Sequence, residues 1–315
     1  MIDEKSFDKI VQGKQVGIYT IISNSGLKAQ ITNYGAKIVS LFVPSDNGSL
    51  TDVVLGFNTL DEWLTQEVYF NGINGRVAGR ISNAQAEIDG QIYNFTKNNG
   101  IHTLHGGNQG FNDKVWEVVE TSENAITLHY LSPDGEEGFP GNLHVLVRYV
   151  LEGNDLNIYY DANTDQPTII NLTNHAYFNL KGEGQGSIHD HTLQVLAEEY
   201  IPYDENTLPI GCVKSVEGTP MDMRQSTLIA DRINDPFFAA GLGIDNGWAL
   251  PGWNDPCSTF PLRLAAVLKG GNYTMETWTT FPCMQVYSGN YVENHVGKSG
   301  AEYAPQCAIC LEAEL

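Results

Sequence analysis

Three side chains able to move protons stand in surroundings that would not solvate a charge. His175 lies in "NLTNHAYFNL", between Asn174 and the aromatic pair Tyr177 and Phe178, in a segment with the composition of a buried strand. His105 lies in "TLHGGNQGF", among small and amide residues. A titrating imidazole in apolar surroundings is costly unless it is hydrogen-bonded or used. For either histidine alone the competing reading is a core residue bonded to backbone, and the second instance weakens that reading. Glu312 follows the uncharged stretch "CAICL". Desolvation there raises a carboxyl pKa and makes it a usable acid or base near neutrality. Only three residues follow Glu312, so a frayed surface position competes with a site position.

Other residues around these points suit the binding of a polyhydroxylated ligand. Asp245 in "GLGIDNGWAL" and Arg80 in "GRVAGRIS" are single charges among glycines and apolar residues, fit for hydrogen bonding in a cleft or for a buried ion pair. Fifteen tyrosines, twelve phenylalanines and five tryptophans supply rings, and Tyr177, Phe281 and Tyr287 neighbour the polar points. A pyranose offers C–H faces for stacking and hydroxyls for directional hydrogen bonds, so rings beside amides, carboxylates and imidazoles fit a sugar cleft. Most of the rings belong to the core.

Metal chemistry finds little support. His102 precedes His105 by three residues, and in a strand that spacing puts the two on opposite faces. Cys307 and Cys310 form a C-x-x-C, but no second pair or histidine stands at zinc-site spacing, and Ala308 and Ile309 suit a packed strand. The five cysteines, Cys212, Cys257, Cys283, Cys307 and Cys310, are an odd number in a long chain, which argues for reduced thiols.

The elements that must position these residues are strands. Period-two alternation broken by turn residues dominates the chain. In "AEIDGQIYNF", Ile88 and Ile92 flank Asp89-Gly90, a dipeptide suited to a tight hairpin turn. The stretches 116–131 and 143–162 repeat the arrangement, with Val145, Val147, Tyr149 and Leu151 on one face and Glu152 to Asp155 turning the chain. Helical pattern is confined to 59–66 and to 226–235, where Ser226 is placed to cap. No repeat, low-complexity tract or linker divides the 315 residues, so one large antiparallel all-β domain over 1–315 is the economical reading. The glycine-rich stretches lack Rossmann or P-loop spacing.

Composition narrows the partners. With 38 acidic and 17 basic residues the net charge is −21, a surface that repels phosphate backbones and anionic headgroups. Neither nucleic acid nor membrane partners are expected. The start has no apolar core of signal-peptide length, and no apolar run approaches the roughly 20 residues of a spanning helix, which points to a cytoplasmic protein.

Taken together, the blocks "NYGAKIVSLFVPSDNGSLTDVVLGFNTLDEWL", "GRVAGRIS", "TLHGG", "NLTNHAYFNL", "GIDNGW", "PCMQVYSGN" and "ICLEAE" resemble the aldose 1-epimerase, or galactose mutarotase, family in order and over nearly the whole chain. The resemblance implies a β-supersandwich with a few short helices. It further implies reversible interconversion of the α and β anomers of free aldohexoses such as galactose and glucose, with no cofactor and no metal, by a monomer or homodimer. It makes His105, His175 and Glu312 the catalytic residues, and Arg80, Asp245 and Gln285 the groups that bind sugar hydroxyls. Glu312 as carboxylate would take the C1 hydroxyl proton while His175 donates to the ring oxygen and His105 shares the developing charge. Some family members carry asparagine where this chain has Gly79. The family's chains usually continue past the glutamate through further strands, so Glu312 is expected near a sheet edge in a domain lacking those strands.

Three other readings compete. A non-catalytic carbohydrate-binding module needs no matched acid and base. A hexose-6-phosphate 1-epimerase needs several cations for the phosphate. A glycosidase needs two carboxyl groups roughly 5 to 9.5 Å apart across the bond it cuts.

Overall fold

Alternating apolar and polar residues produce antiparallel strands throughout the residues that the computed structural model describes, 1–45, 47–66, 69–254 and 261–315. The chain forms two compact units, one of Met1–Asp52 with Gly56–Asn174 and one of Val53–Leu55 with His175–Leu315. The expected all-β class holds, and the one α-helix among the described residues has six residues.

In the first unit, β1 (Ile18–Ile22), β2 (Lys28–Thr32), β3 (Lys37–Pro44) and β4 (Leu50–Asp52) form one antiparallel sheet in chain order. A second sheet is built from β5 (Glu117–Thr121), β6 (Ala125–Ser132), β7 (Leu143–Glu152) and β8 (Asp155–Thr164), also in chain order. Along β7, Val145, Val147, Tyr149 and Leu151 are buried while His144, Leu146 and Arg148 are exposed. Period two thus puts one face into the core, as the sequence pattern requires. The hairpin of Gln85–Ile88 with Gln91–Asn94 turns at Asp89 (φ 49°) and Gly90 (φ 77°), the left-handed pair of a tight two-residue turn.

The helical pattern at 59–66 becomes α1 (Leu60–Thr65). Thr59 and Glu62 form a reciprocal capping box, and Leu60 and Trp63 are buried. The pattern at 226–235 does not become an α-helix. Thr227–Leu228 pair as a short strand with Leu193 and Thr192, and only a 3-10 turn, Ile229–Asp231, follows. Strand pairing satisfies the backbone groups a longer helix would need, and Ser226 caps nothing, since the turn has no side-chain cap.

The second unit carries two sheets. One consists of β9 (Thr192–Val195), β12 (Thr227–Leu228), β14 (Arg263–Gly270) and β15 (Tyr273–Thr279), in the order β12-β9-β14-β15. The other joins β10 (Glu199–Ile201), β11 (Lys214–Ser215), β13 (Asp245–Ala249), β16 (Cys283–Tyr287) and β17 (Cys310–Glu314), in the order β11-β10-β13-β16-β17. Trp248, Met284, Val286 and Leu311 on one face of this second sheet are buried apolar residues. The opposite face, set by the same period, carries Asp245, Gly247, Gln285, Tyr287, Cys310 and Glu312.

Candidate active site

The register of that sheet fixes the polar face as a lattice. Glu312 pairs with Gln285, and Gln285 with Gly247; one row on, Cys310 pairs with Tyr287, and Tyr287 with Asp245. A further segment joins the open side of β17, where Phe178 and Ile309 form an antiparallel bridge with backbone bonds of 2.8 and 2.9 Å in both directions. Stepping outward from that bridge in opposite directions brings Tyr177 opposite Cys310 and His175 opposite Glu312. Glu312 is therefore enclosed from both sides. Its exposure is 2%, and that of His175 is 4%. The expectation that proximity to Leu315 would leave the glutamate at a thinly covered sheet edge is not met, because backbone pairing on one flank and the 175–178 segment on the other both cover it.

Nε2 of His175 lies 3.4 Å from Oε2 of Glu312. Burial acts on the two in opposite directions. It pushes the imidazole pKa down to about 3, and it pushes the carboxyl well above the usual carboxylate range, with Glu314 and Asp245 adding like-charge repulsion. The site thus favours a neutral imidazole beside a protonated carboxyl. Moving one proton between them gives the ion pair without changing the net charge, and each form can be both donor and acceptor.

Rings enclose the pair. The His175 and Tyr177 rings stack with centroids 5.0 Å apart and an interplanar angle of 11°, and Tyr287 stands edge-on to both, at 6.1 and 6.0 Å. Asp245 and Gln285 are linked, Nε2 of Gln285 donating to Oδ1 of Asp245 at 2.7 Å. Of the expected residues, this unit brings His175, Glu312, Tyr177, Gln285 and Asp245 onto one sheet face and its flanking segment. Phe281 sits in the turn between β15 and β16, where its backbone bonds to Thr279 and Arg263.

Arg80 and His105 belong to the first unit, Arg80 on a two-residue antiparallel ribbon where it pairs with Leu104, and His105 in the turn that follows Leu104. His105 donates its backbone N–H to Gly79 at 3.0 Å, and Nδ1 of its ring accepts the backbone N–H of Gly79 at 3.2 Å. With Nδ1 an acceptor, the proton of the neutral ring stands on Nε2. The side-chain amide of Asn74, whose Nδ2 lies 3.1 Å from the same nitrogen, supports the Gly79 N–H in setting this tautomer. His105 has a φ of 49°, a left-handed conformation. It leads into Gly106, where a Cβ would meet the Gly75 carbonyl oxygen at 1.9 Å, so only glycine fits there. Tyr69 packs on the imidazole with centroids 4.6 Å apart. The guanidinium of Arg80 bonds Oδ1 of Asn99 through Nε at 3.2 Å.

His175, Cys310 and Glu312 place one potential metal-ligand atom each within 4.8 Å of one another, the one such group of three among the described residues. Burial raises the pKa of the Cys310 thiol and of the Glu312 carboxyl, so a metal binding there would have to displace both protons. Cys212, Cys283, Cys307 and Cys310 are free thiols, and Cys257 lies outside the described residues.

Two residues of this face escaped the sequence reading. Cys310 was legible in principle, since period two aligns it with Glu312. Tyr203, whose hydroxyl donates to Oε1 of Gln285 at 2.9 Å, lies in an irregular segment without pattern.

Residues 17–314 match the family described as Aldose 1-epimerase. A galactose mutarotase from Bos taurus is 37% identical over 294 residues, covering 93% of this chain and 84% of that protein. An aldose 1-epimerase from Escherichia coli is 32% identical, covering 96% and 87%. Among solved structures, an aldose epimerase homologue from C. elegans superposes with a TM-score of 0.85 at 29% identity, covering 95% of this chain and 89% of that one. Galactose 1-epimerase from Lactobacillus acidophilus does so with a TM-score of 0.83 at 28% identity, covering 97% and 88%. The match spans both units and every block that carries a site residue, so the chain belongs to the aldose 1-epimerase family of isomerases.

Proposed function

We propose that the protein interconverts the α and β anomers of free aldohexoses such as galactose and glucose, with Glu312 and His175 passing protons in complementary directions. The observation that carries this reading is the 3.4 Å approach of Nε2 of His175 to Oε2 of Glu312 in a nearly dry environment. In the ion-pair form, Glu312 takes the C1 hydroxyl proton while His175 donates to the ring oxygen, and the ring opens to the aldehyde. The pair is then neutral, which is the form its burial favours. Rotation about C1–C2 and the reverse transfers close the ring as the other anomer, so neither sugar oxygen carries a full charge. Asp245 and Gln285 hold hydroxyls away from C1, and the rings of Tyr177 and Tyr287 exclude water. For His105 and Arg80 we retain the roles that the family resemblance implies, assistance to the developing charge and hydroxyl binding.

No helix among the described residues is long and apolar enough to cross a membrane. Free thiols at four described cysteines fit a reducing, cytoplasmic setting. The decisive experiment is polarimetry of freshly dissolved α-galactose. Catalytic amounts of protein speed the decay of rotation to its equilibrium value, whereas no acceleration even at stoichiometric protein indicates a sugar-binding module.

A further inference from the structure

An amide side chain reverses donor and acceptor when it flips, with little change of shape. Gln285 is held against that flip from two sides. The Tyr203 hydroxyl donates to its Oε1 at 2.9 Å, and its Nε2 donates to Oδ1 of Asp245 at 2.7 Å. Burial pushes the Tyr203 phenol well above its ordinary pKa, so the hydroxyl keeps its proton and remains a donor. Gly247, the cross-strand partner of Gln285, leaves room for the link. A Cβ there would come within 3.0 Å of the Tyr203 hydroxyl and 3.3 Å of Oε1 of Gln285. Tyr203 and Asp245 also line one cavity of about 260 Å³, together with Phe237, Gly241 and Lys214.

We propose that Tyr203 is a positioning residue for sugar binding, acting through Gln285 to hold the Asp245 carboxylate in the orientation that receives sugar hydroxyls. The inference rests on the reading of Asp245 and Gln285 as sugar-binding groups. Without the phenolic hydroxyl, Oε1 of Gln285 loses its donor and the amide is held only through its bond to Asp245. The amide then pivots, the charge-assisted hydrogen bond to Asp245 weakens, and the carboxylate loses its fixed direction. Glu312 and His175 stand on the other side of Gln285 and keep their own contacts, so the chemical step is spared.

The test is Tyr203→Phe, which removes one oxygen from a ring that still fills its place. KM for galactose rises about fivefold or more with kcat within about twofold, the signature of lost uniform binding. Equilibrium binding followed by tryptophan fluorescence weakens by the same factor. In the Gln285→Ala background the further change Tyr203→Phe has no effect, because its route to Asp245 is already broken. An unchanged KM, a parallel fall in kcat, or additive losses in the double variant overturns the proposal. Near-ultraviolet circular dichroism establishes that each variant is folded. Failure of the underlying reading shows separately, as galactose affinity left unchanged by Asp245→Asn and by Gln285→Ala.

Discussion

Oε2 of Glu312 stands 3.4 Å from Nε2 of His175, although the two come from segments far apart in the chain. The bridge between Phe178 and Ile309 sets the register that brings them together, and the pairing of Glu312 with Gln285 encloses the carboxyl from the other side. Replacing Glu312 by glutamine keeps the shape and removes the titrating proton. We expect kcat for mutarotation to fall by about 10²- to 10⁴-fold, the usual share of a general acid or base, with galactose affinity within a few-fold of wild type. Polarimetric rates and equilibrium binding measured on the same preparation check this, and undiminished turnover would exclude the assigned role.

The pH dependence should carry the mark of burial. Desolvation lowers the His175 pKa from 6.5 to about 3, so the pair does not gain an extra proton until the solution is strongly acidic. A profile of kcat/KM against pH is expected to show no acid limb near 6.5, where an exposed histidine titrates, while loss of the proton from the raised Glu312 carboxyl sets the alkaline limb. An acid limb centred near 6.5 contradicts the assignment. The same shift affects folding. Between pH 6.5 and 3 the unfolded chain binds a proton that the folded one refuses, so this group's contribution to stability is lost as the pH falls through that window.

Lys37 gives a second test of linkage, independent of the site. It is fully buried, bonds the Asn112 carbonyl, and stands 4.7 Å from the Tyr34 ring centroid. Desolvation lowers its pKa from 10.5 to about 8, partly offset by the charge of Asp113. Between those values the unfolded chain holds a proton that the folded chain has released, so stability rises with pH there. Denaturant midpoints at pH 8 and 10 are expected to show that rise in wild type and a smaller one in Lys37→Met. Equal slopes in the two proteins would refute it.

Arg76 is buried and directs its donors at neutral oxygens: the Ser132 hydroxyl and carbonyl, and the carbonyls of Pro133, Pro140 and Gly141, at 2.7 to 3.0 Å. A lysine cannot reproduce that planar fork and would strand several of these acceptors. Arg76→Lys is expected to destabilise the protein by about 3 kcal/mol or more, as loss of a buried polar network does. Urea unfolding measures it, and a change under about 0.5 kcal/mol would show that the network contributes little.

By itself the sequence determined the β class, the hairpin at Asp89-Gly90, the short helix at 59–66, and which side chains were chemically conspicuous. Those features depend on neighbours within a few residues, through period, turn dihedrals and capping, and such local terms can be read along a chain. It misread 226–235, because pairing of Thr227 and Leu228 with Leu193 and Thr192 is a non-local competitor that helical periodicity does not register. It also left Glu312 looking exposed, since nearness to the chain end is visible in a sequence and the strands flanking it are not. Which proton donor meets which acceptor was decided only by tertiary structure: the bridge of Phe178 with Ile309, the rows across β13, β16 and β17, and the Tyr203 hydroxyl reaching Gln285 from an unpatterned segment. Strand register is a property of two segments at once. The pKa values that make the pair usable arise from the desolvation which that register imposes.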